Sequence, residues 1–263
     1  MAVMGKQTER MNWILQKLEM WGAVSVSDLS TELNTSVVTI RKDLKLLEEQ
    51  GKLSRVAGGA VSCRKQREPE AAMEQVSGDI NRELKHAVAK KASQFIEDGD
   101  SLIITCGVTP HLTALYAEKR RNLKIVTDSL IIAEDLCRRP DYQVIILGGE
   151  IYTKESFVHG RDAVCQANRY MADKAIVTMD GVDAAAGLTT LRVEGADTLK
   201  SILARARMRI LVADVTKIGL ESFCHVGGIN DADILVTNRT EDEEKLAILG
   251  RIAAAGVTIE YAE

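Results

Sequence analysis

Apolar residues recur at helical spacing three times before residue 51. Met11, Ile14, Leu15 and Leu18 share one face of Gln7–Trp21, and Leu29 and Leu33 mark a short helix over Ser27–Leu33. Ile40, Leu44 and Leu47 give Ser36–Gln50 a single apolar stripe. Gly22 stops the first helix and Gly51 the third. Ala23-Val24-Ser25 reads as a connector, Ser27-Asp28 as the start of the second helix, and Asn34-Thr35 as a tight link. Ser36 stands where an N-cap hydroxyl accepts from a first-turn N–H. A short helix, a turn and a longer helix make a helix-turn-helix plan. In Lys52–Ser62, Leu53, Val56 and Val61 mark extended segments around a turn at Gly58-Gly59, a hairpin placed as a wing.

Ser62–Asp79 has no clear periodicity and carries Arg64, Lys65, Arg67 and Pro69, so it reads as a linker. A helix is expected over Ile80–Glu97. Apolar runs then alternate with helical patterns: Leu102–Thr105, Leu123–Thr127, Gln143–Leu147, Lys174–Met179, Arg209–Ala213, Asp233–Thr237 and Val257–Tyr261. Intervening helices are expected from Pro110, up to Arg138, and over Arg161–Met171, Val193–Ala206 and Glu241–Ala255. Apolar strands alternating with helices predict a parallel sheet covered on both faces. The fold class is therefore α/β: an N-terminal winged helix-turn-helix domain over 1–62, a linker over 63–79, and a C-terminal Rossmann-like parallel-sheet domain over 80–263.

Charge sharpens this division. The chain of 263 residues carries a net charge of −4, yet residues 1–67 hold 11 Lys/Arg against 7 Asp/Glu, and residues 68–263 hold 23 against 31. Only the basic head suits a phosphate backbone. Aromatics make up 4% of residues, which disfavours base stacking as a binding mode. No apolar run approaches the length of a membrane span and no signal core precedes the first helix, so a cytoplasmic protein is expected. The five cysteines and four histidines lack metal-ligand spacing, so neither metal nor cofactor is expected.

The candidate DNA-reading element is Ser36–Gln50. Ser36, its N-cap, counts among the DNA-binding residues, and Val37, Val38, Thr39 and Lys42 lie toward its N-terminal half, in reach of base edges or a thymine methyl. Arg41, Lys45 and Arg55 suit phosphate contacts, which position without reading sequence. The competing role for Arg41 and Lys42 is pairing with Asp43, Glu48 or Glu49; Asp43 itself reads as structural.

In the second domain, polar residues and glycines follow the strand ends: Gly107, Val108 and Thr109; Thr127, Asp128 and Ser129; Gly148 and Gly149; Asp180 and Gly181; Asp214 and Lys217. The carboxyl edge of an open α/β sheet is where ligands bind. Gly107 to Thr109 would offer backbone N–H groups to an anion, Lys200 and Lys217 positive charge, and Asp180 an acceptor for hydroxyls. Each residue type also occurs at such turns merely as a cap or turn former. Together they point to a small phosphorylated polyol.

The run SVVTIRKDLKLLEEQGKLSRVAGGA resembles the winged helix-turn-helix signature of DeoR-type transcriptional regulators, through Ser36, Thr39–Leu44, Leu47, Glu48, Gly51, Arg55 and Gly58–Ala60. Residues from about 80 to 237 resemble the sensor domain of the same family, itself related to ribose-5-phosphate isomerase and coenzyme A transferases. The pieces that carry this are Asp98-Gly99-Asp100, Gly107 with Thr109, Val126–Ser129, Leu147–Gly149, Ser156-Phe157 with Gly160, Asp180–Val182, Gly187–Thr189 and Ala213–Gly219. The resemblance implies a regulator whose site binds a phosphorylated sugar or related metabolite and so alters operator affinity. Three departures stand out. Val108 replaces a threonine of the usual Gly-Thr-Thr, Asp128 replaces the asparagine of Thr-Asn-Ser, and Ala196-Asp197 replaces Glu-Ala.

The expectation is a sequence-specific regulator, a repressor of a carbohydrate-metabolism operon, that is not an enzyme and acts as a homo-oligomer, dimer or tetramer, on double-stranded operator DNA. The alternative is a sugar-phosphate isomerase with an N-terminal extension, using a carboxylate of Asp180-Gly181-Val182-Asp183 as base. A non-catalytic adaptor leaves the basic wing without a purpose.

Overall fold

The computed structural model describes residues 6–21, 23–33, 35–50, 52–56, 59–62 and 81–263. Gly22, Asn34, Gly51, Gly58, Ile80 and the linker over 63–79, with Arg64, Lys65 and Arg67, lie outside the described residues. The chain divides into two compact units, Met1–Glu68 and Pro69–Glu263.

The first unit runs α1 (Lys6–Trp21), β1 (Ala23–Ser25), α2 (Val26–Glu32), α3 (Val37–Glu49), β2 (Leu53–Val56) and β3 (Gly59–Ser62). Its core joins Ile14 and Leu18 of α1, Leu29 of α2, and Ile40, Leu44 and Leu47 of α3 with Leu53. Each such side chain is worth ~1.5–3 kcal/mol when buried, so the apolar stripe of α3 fixes which face it turns outward. Ser36 caps α3, its hydroxyl accepting the Thr39 N–H at 3.2 Å. Three expectations need correction. α2 starts at Val26 rather than Ser27, because the Ser25 hydroxyl accepts the Asp28 N–H at 3.1 Å and caps the helix. Ala23–Ser25 is a strand, giving a three-stranded antiparallel sheet of order β1-β3-β2. Gly59 belongs to β3 rather than to a turn, and a Cβ there would lie 2.1 Å from the Val24 carbonyl oxygen. Glycine is what lets β1 approach β3.

In the second unit, α4 (Arg82–Ala92) leads through a single 3₁₀ turn, Ser93–Phe95, into β4 (Ser101–Ile104), α5 (Val108–Tyr116), β5 (Lys124–Thr127), α6 (Leu130–Leu136) and β6 (Gln143–Ile146). A hairpin, β7 (Glu150–Tyr152) and β8 (Phe157–His159), precedes α7 (Arg161–Ala167) and β9 (Ala172–Val177). Then come β10 (Gly181–Asp183), β11 (Gly187–Thr190), α8 (Val193–Leu203), β12 (Ala206–Val212), β13 (Cys224–Gly227), β14 (Ile234–Asn238), α9 (Glu243–Ala254) and β15 (Thr258–Ala262). All seven apolar runs enter one parallel sheet of order β15-β14-β12-β9-β4-β5-β6. Alternate residues feed separate cores on its two faces: Ile103, Val177 and Leu211 on one, Leu102, Ile104, Ile176 and Ile210 on the other. This two-sided burial is why the strands read as continuous apolar runs.

The chain fills the sheet outward from β4 through β5 and β6, then returns to β9 on β4's other side. That reversal is a topological switch point, where the carboxyl ends of neighbouring strands part to leave a crevice. The hairpin β7–β8 and the antiparallel sheet β10-β11-β13 were not among the expected elements. Both sit beyond strand ends of the main sheet in the chain. The helix expected from Pro110 begins two residues earlier, at Val108, with Gly107 as N-cap.

Candidate functional site

On α3, Val38, Arg41, Lys42 and Lys45 are spaced as one helical face and are exposed, Val38 at 63%. Val37, next to Val38, is also exposed. Arg41 and Lys42 make no ion pair among the described residues. Lys45 lies 3.8 Å from Glu49, and Arg55 lies 3.7 Å from Glu48, whose Oε1 also accepts the Arg55 N–H at 2.9 Å. These pairs are exposed and worth little against a phosphate. The Ser36 and Thr39 hydroxyls stand 2.9 Å apart, and the Ser36 hydroxyl also accepts the Thr39 N–H, so the Thr39 hydroxyl is engaged at the cap. Asp43 is buried and accepts from Arg10 Nε at 2.5 Å and Gln7 Nε2 at 3.1 Å, bolting α3 to α1. The result is a rigid helix presenting apolar and cationic side chains together, of a width that fits a major groove.

The second unit holds a cavity of about 270 Å³ at the carboxyl ends of β4, β5, β9 and β12. Cys106 to Thr109 follow β4, Asp128 follows β5, Thr178 to Asp180 follow β9, and Asp214 and Lys217 follow β12. Lys85 enters from α4, Glu155 and Phe157 from the β7–β8 hairpin, and Thr190, Arg192, Gly195 and Leu199 from the end of β11 and the start of α8.

Of the thirteen residues expected at the site, Gly107, Val108, Thr109, Asp128, Asp180, Asp214 and Lys217 line the cavity. Gly107 holds φ at +144°, and a Cβ there would meet Thr178 Cγ2 at 2.7 Å. Glycine therefore permits the loop to turn tightly into α5. The helix has no side-chain cap, so the N–H groups of Val108 and Thr109 point toward its open end. The other six do not line it. Thr127 is fully buried, its hydroxyl accepting the Ser129 N–H at 3.0 Å, and Ser129 caps α6 through the Ile132 N–H at 3.3 Å. Gly148 bonds Gln166 through its N–H at 3.0 Å, and Gly149 packs on the His159 carbonyl. Gly181 opens β10 against the Leu220 carbonyl, and Lys200 is exposed on α8.

Ion pairs organise the cavity's charges. Lys85 Nζ lies 2.9 Å from Asp214 Oδ2. Burial alone would raise the Asp214 carboxyl, but the Thr216 hydroxyl and Lys85 outweigh it and hold the carboxyl below its ordinary range. Arg192 bridges Glu155 at 2.5 Å and Asp180 at 2.6 Å. Asp180 Oδ2 also accepts from the Thr190 hydroxyl and the Leu191 N–H, each at 2.9 Å, while Lys217 stands 4.0 Å from its other oxygen. Burial pushes Asp180 up, yet the Leu191 N–H and Arg192 prevail and hold it low. Asp128 behaves oppositely. It is 4% exposed, and burial pushes its carboxyl up to about 7, opposed only in part by the Cys106 N–H at 2.6 Å. Burial, then Asp128 and Glu155, push the Cys106 thiol up, which disfavours its thiolate. Lys85, Glu155 and Arg192 were missed because none follows an apolar strand run. Arg192 does stand immediately before the helical pattern that begins at Val193, which was the available signal.

No helix among the described residues is long and apolar enough to cross a membrane, and no cluster of three or more potential metal ligands occurs among them. Residues 80–239 match the family described as the DeoR C terminal sensor domain, and residues 10–66 the DeoR-like helix-turn-helix domain. The chain is 29% identical over 236 residues to the glycerol-3-phosphate regulon repressor of Escherichia coli, covering 89% of this chain and 91% of that protein. It is 30% identical over 233 residues to the uncharacterized HTH-type transcriptional regulator FruR of Bacillus subtilis, covering 89% and 92%. Among solved structures, a ribose 5-phosphate isomerase from Plasmodium falciparum aligns over 51% of this chain and 52% of that one, with 16% identity and a TM-score of 0.38.

Proposed function

This chain belongs to the DeoR family of DNA-binding transcriptional regulators, and from that premise we propose that it represses a carbohydrate-metabolism operon under control of a phosphorylated sugar or polyol held in the second unit's cavity. One observation carries the reading. The uncapped N-terminus of α5 and three cations, Lys85, Arg192 and Lys217, line a single cavity at the sheet's switch point. Backbone donors and cations of that kind suit a phosphate, and carboxylates among them suit hydroxyl donors. The name of the Escherichia coli relative, a glycerol-3-phosphate regulon repressor, supports the same ligand class.

In this reading Val38 and Lys42, with the Thr39 methyl, meet base edges, while Arg41, Lys45 and Arg55 meet phosphates. Ser36 sets the helix start and Val37 adds apolar contact. Operator half-sites follow the symmetry of a dimer or tetramer. Lys85 supplies a route for control. It stands in α4, the first helix of the second unit among the described residues, and it is held by Asp214. A ligand phosphate competes with Asp214 for Lys85 and so favours one placement of α4. The shift in operator affinity is bounded by the ligand's differential affinity for the two states.

The geometry weighs against the isomerase reading. Asp180 is committed to Arg192, Thr190 and the Leu191 N–H, and the N–H groups of Ala186 and Ala185 hold Asp183 low, at a turn. A panel of phosphorylated sugars and their unphosphorylated parents, screened by thermal shift on the full chain, tests the proposal. Stabilisation by a phosphorylated member and not by its parent is expected. Stabilisation by both alike, or by none, sinks it.

A further inference from the structure

Phe223 and Leu191 are the two most exposed large apolar side chains among the described residues of the second unit. They stand at one place. Strands β11 and β13 pair as far as Thr190 and Cys224, and Leu191 and Phe223 are the next residues along each, at the same end of the β10-β11-β13 sheet. Leu220 belongs to that end too. A Cβ on Gly181 would lie 2.4 Å from the Leu220 carbonyl oxygen, and the Ser222 N–H donates to the Thr189 hydroxyl at 2.8 Å. Arg192 has extended backbone, φ −102° and ψ 103°, and its side chain lines the cavity. Successive side chains on extended backbone point to opposite sides, so Leu191 and Val193 turn away from the cavity. The Leu191 N–H is itself held by Asp180 at 2.9 Å. The backbone here is therefore fixed, while its apolar side chains stand in water: Phe223 is 83% exposed, Leu191 65%, Val193 55% and Leu220 48%.

At those exposures the four residues offer roughly 500 Å² of surface, on the scale of a monomer's largest apolar patch, which is often functional. Two such faces in contact remove about 1,000 Å², which reaches the lower bound of a specific interface before any polar rim is added. Apolar side chains packed on apolar side chains are complementary to themselves, as a two-fold contact requires. A chain with a helix-turn-helix domain also reads paired half-sites through a second copy of itself. We propose that Leu191, Val193, Leu220 and Phe223 form the centre of a two-fold interface between two copies of this chain. The interface stands whatever the cavity binds. The segments that carry it also carry Arg192 and Lys217, so the join between copies and the cavity wall share backbone.

Sedimentation velocity of the full chain over a concentration series tests this in wild type, Phe223→Glu and Leu191→Asp. Met171→Glu and Ile151→Glu serve as controls, because both residues are exposed apolar side chains of the same unit that lie outside this face. Wild type is expected to self-associate. Each face variant is expected to weaken that association by at least ~100-fold, since a two-fold contact buries the new carboxylate twice without a partner. The controls are expected to associate as wild type does. A wild-type chain that stays monomeric overturns the proposal and leaves the face to some other partner. Face variants that associate as tightly as wild type, or controls that lose as much as the face variants, overturn it as well. A benzophenone side chain placed at Phe223 gives an answer that needs no loss of association. On irradiation it is expected to yield a covalent dimer linked within residues 191–193 or 220–223 of the second copy. Links found only elsewhere overturn the assignment.

Discussion

Asp128 makes a quantitative prediction about stability. Burial raises its carboxyl to about 7 in the folded chain, whereas the unfolded chain titrates it in the ordinary carboxylate range. The folded state therefore holds this proton more tightly. The stabilisation is fully present below the unfolded value and is lost as pH rises through the folded one. Between pH 5 and pH 8 roughly two tenfold steps in proton affinity are lost, about 3 kcal/mol at ~1.4 kcal/mol per step. Asp128→Asn removes the titration while its side-chain oxygen still accepts the Cys106 N–H. At ~2–4 °C per kcal/mol for a unit of this size, the variant's Tm relative to wild type should rise by roughly 6–12 °C from pH 5 to pH 8. Differential scanning calorimetry of both chains at the two pH values measures it, with every other titrating group cancelling in the difference. A Tm difference that stays constant between the two pH values would refute the reasoning, because Asp128 would then titrate as a solvated carboxyl.

Three further outcomes follow from the first unit. Arg41→Ala should weaken binding to all duplexes and reduce the slope of log K against log salt by about 0.9, since one phosphate contact is lost. Val38→Ala should instead lower the ratio of selected to scrambled duplex affinity, read by fluorescence anisotropy; equal losses on both duplexes would place Val38 off the base edges. Arg10→Ala leaves Asp43 buried without its cation and should destabilise the first unit by about 3 kcal/mol. Both tryptophans, Trp13 and Trp21, lie in α1, so urea unfolding followed by tryptophan fluorescence reports that unit alone. A loss below about 0.5 kcal/mol would mean the pair behaves like an exposed one.

The main sheet was legible because its strands are buried on both faces and read as unbroken apolar runs, from Leu102–Thr105 to Val257–Tyr261. The α3 helix was legible through a stripe of period 3.6 and a serine cap. The hairpin β7–β8 and the strands β10, β11 and β13 were not. They are three or four residues long and rich in Gly, Thr and His, so neither alternation nor an apolar run marks them. Their loss explains the missed part of the site, because Glu155 and Arg192 are delivered by those segments. Lys85 was missed for a different reason: it comes from a helix far upstream, brought to the strand ends by tertiary packing and its pair with Asp214. Conversely, Thr127 and Ser129 share a motif with Asp128 but serve as local caps, and spacing alone does not separate a cap from a ligand contact.

The central claim is that a phosphorylated ligand in the cavity sets the affinity of the first unit for DNA. Anisotropy of the full chain on a duplex enriched from a random pool, with and without the strongest-binding sugar phosphate from the thermal-shift panel, measures the coupling directly, in wild type and in Lys217→Ala. The account predicts at least a ~5-fold change in Kd for wild type, within the usual range of coupling between sites, and a change below twofold for Lys217→Ala at the same ligand concentration. An unchanged wild-type Kd in saturating ligand, or equal changes in both proteins, would contradict it.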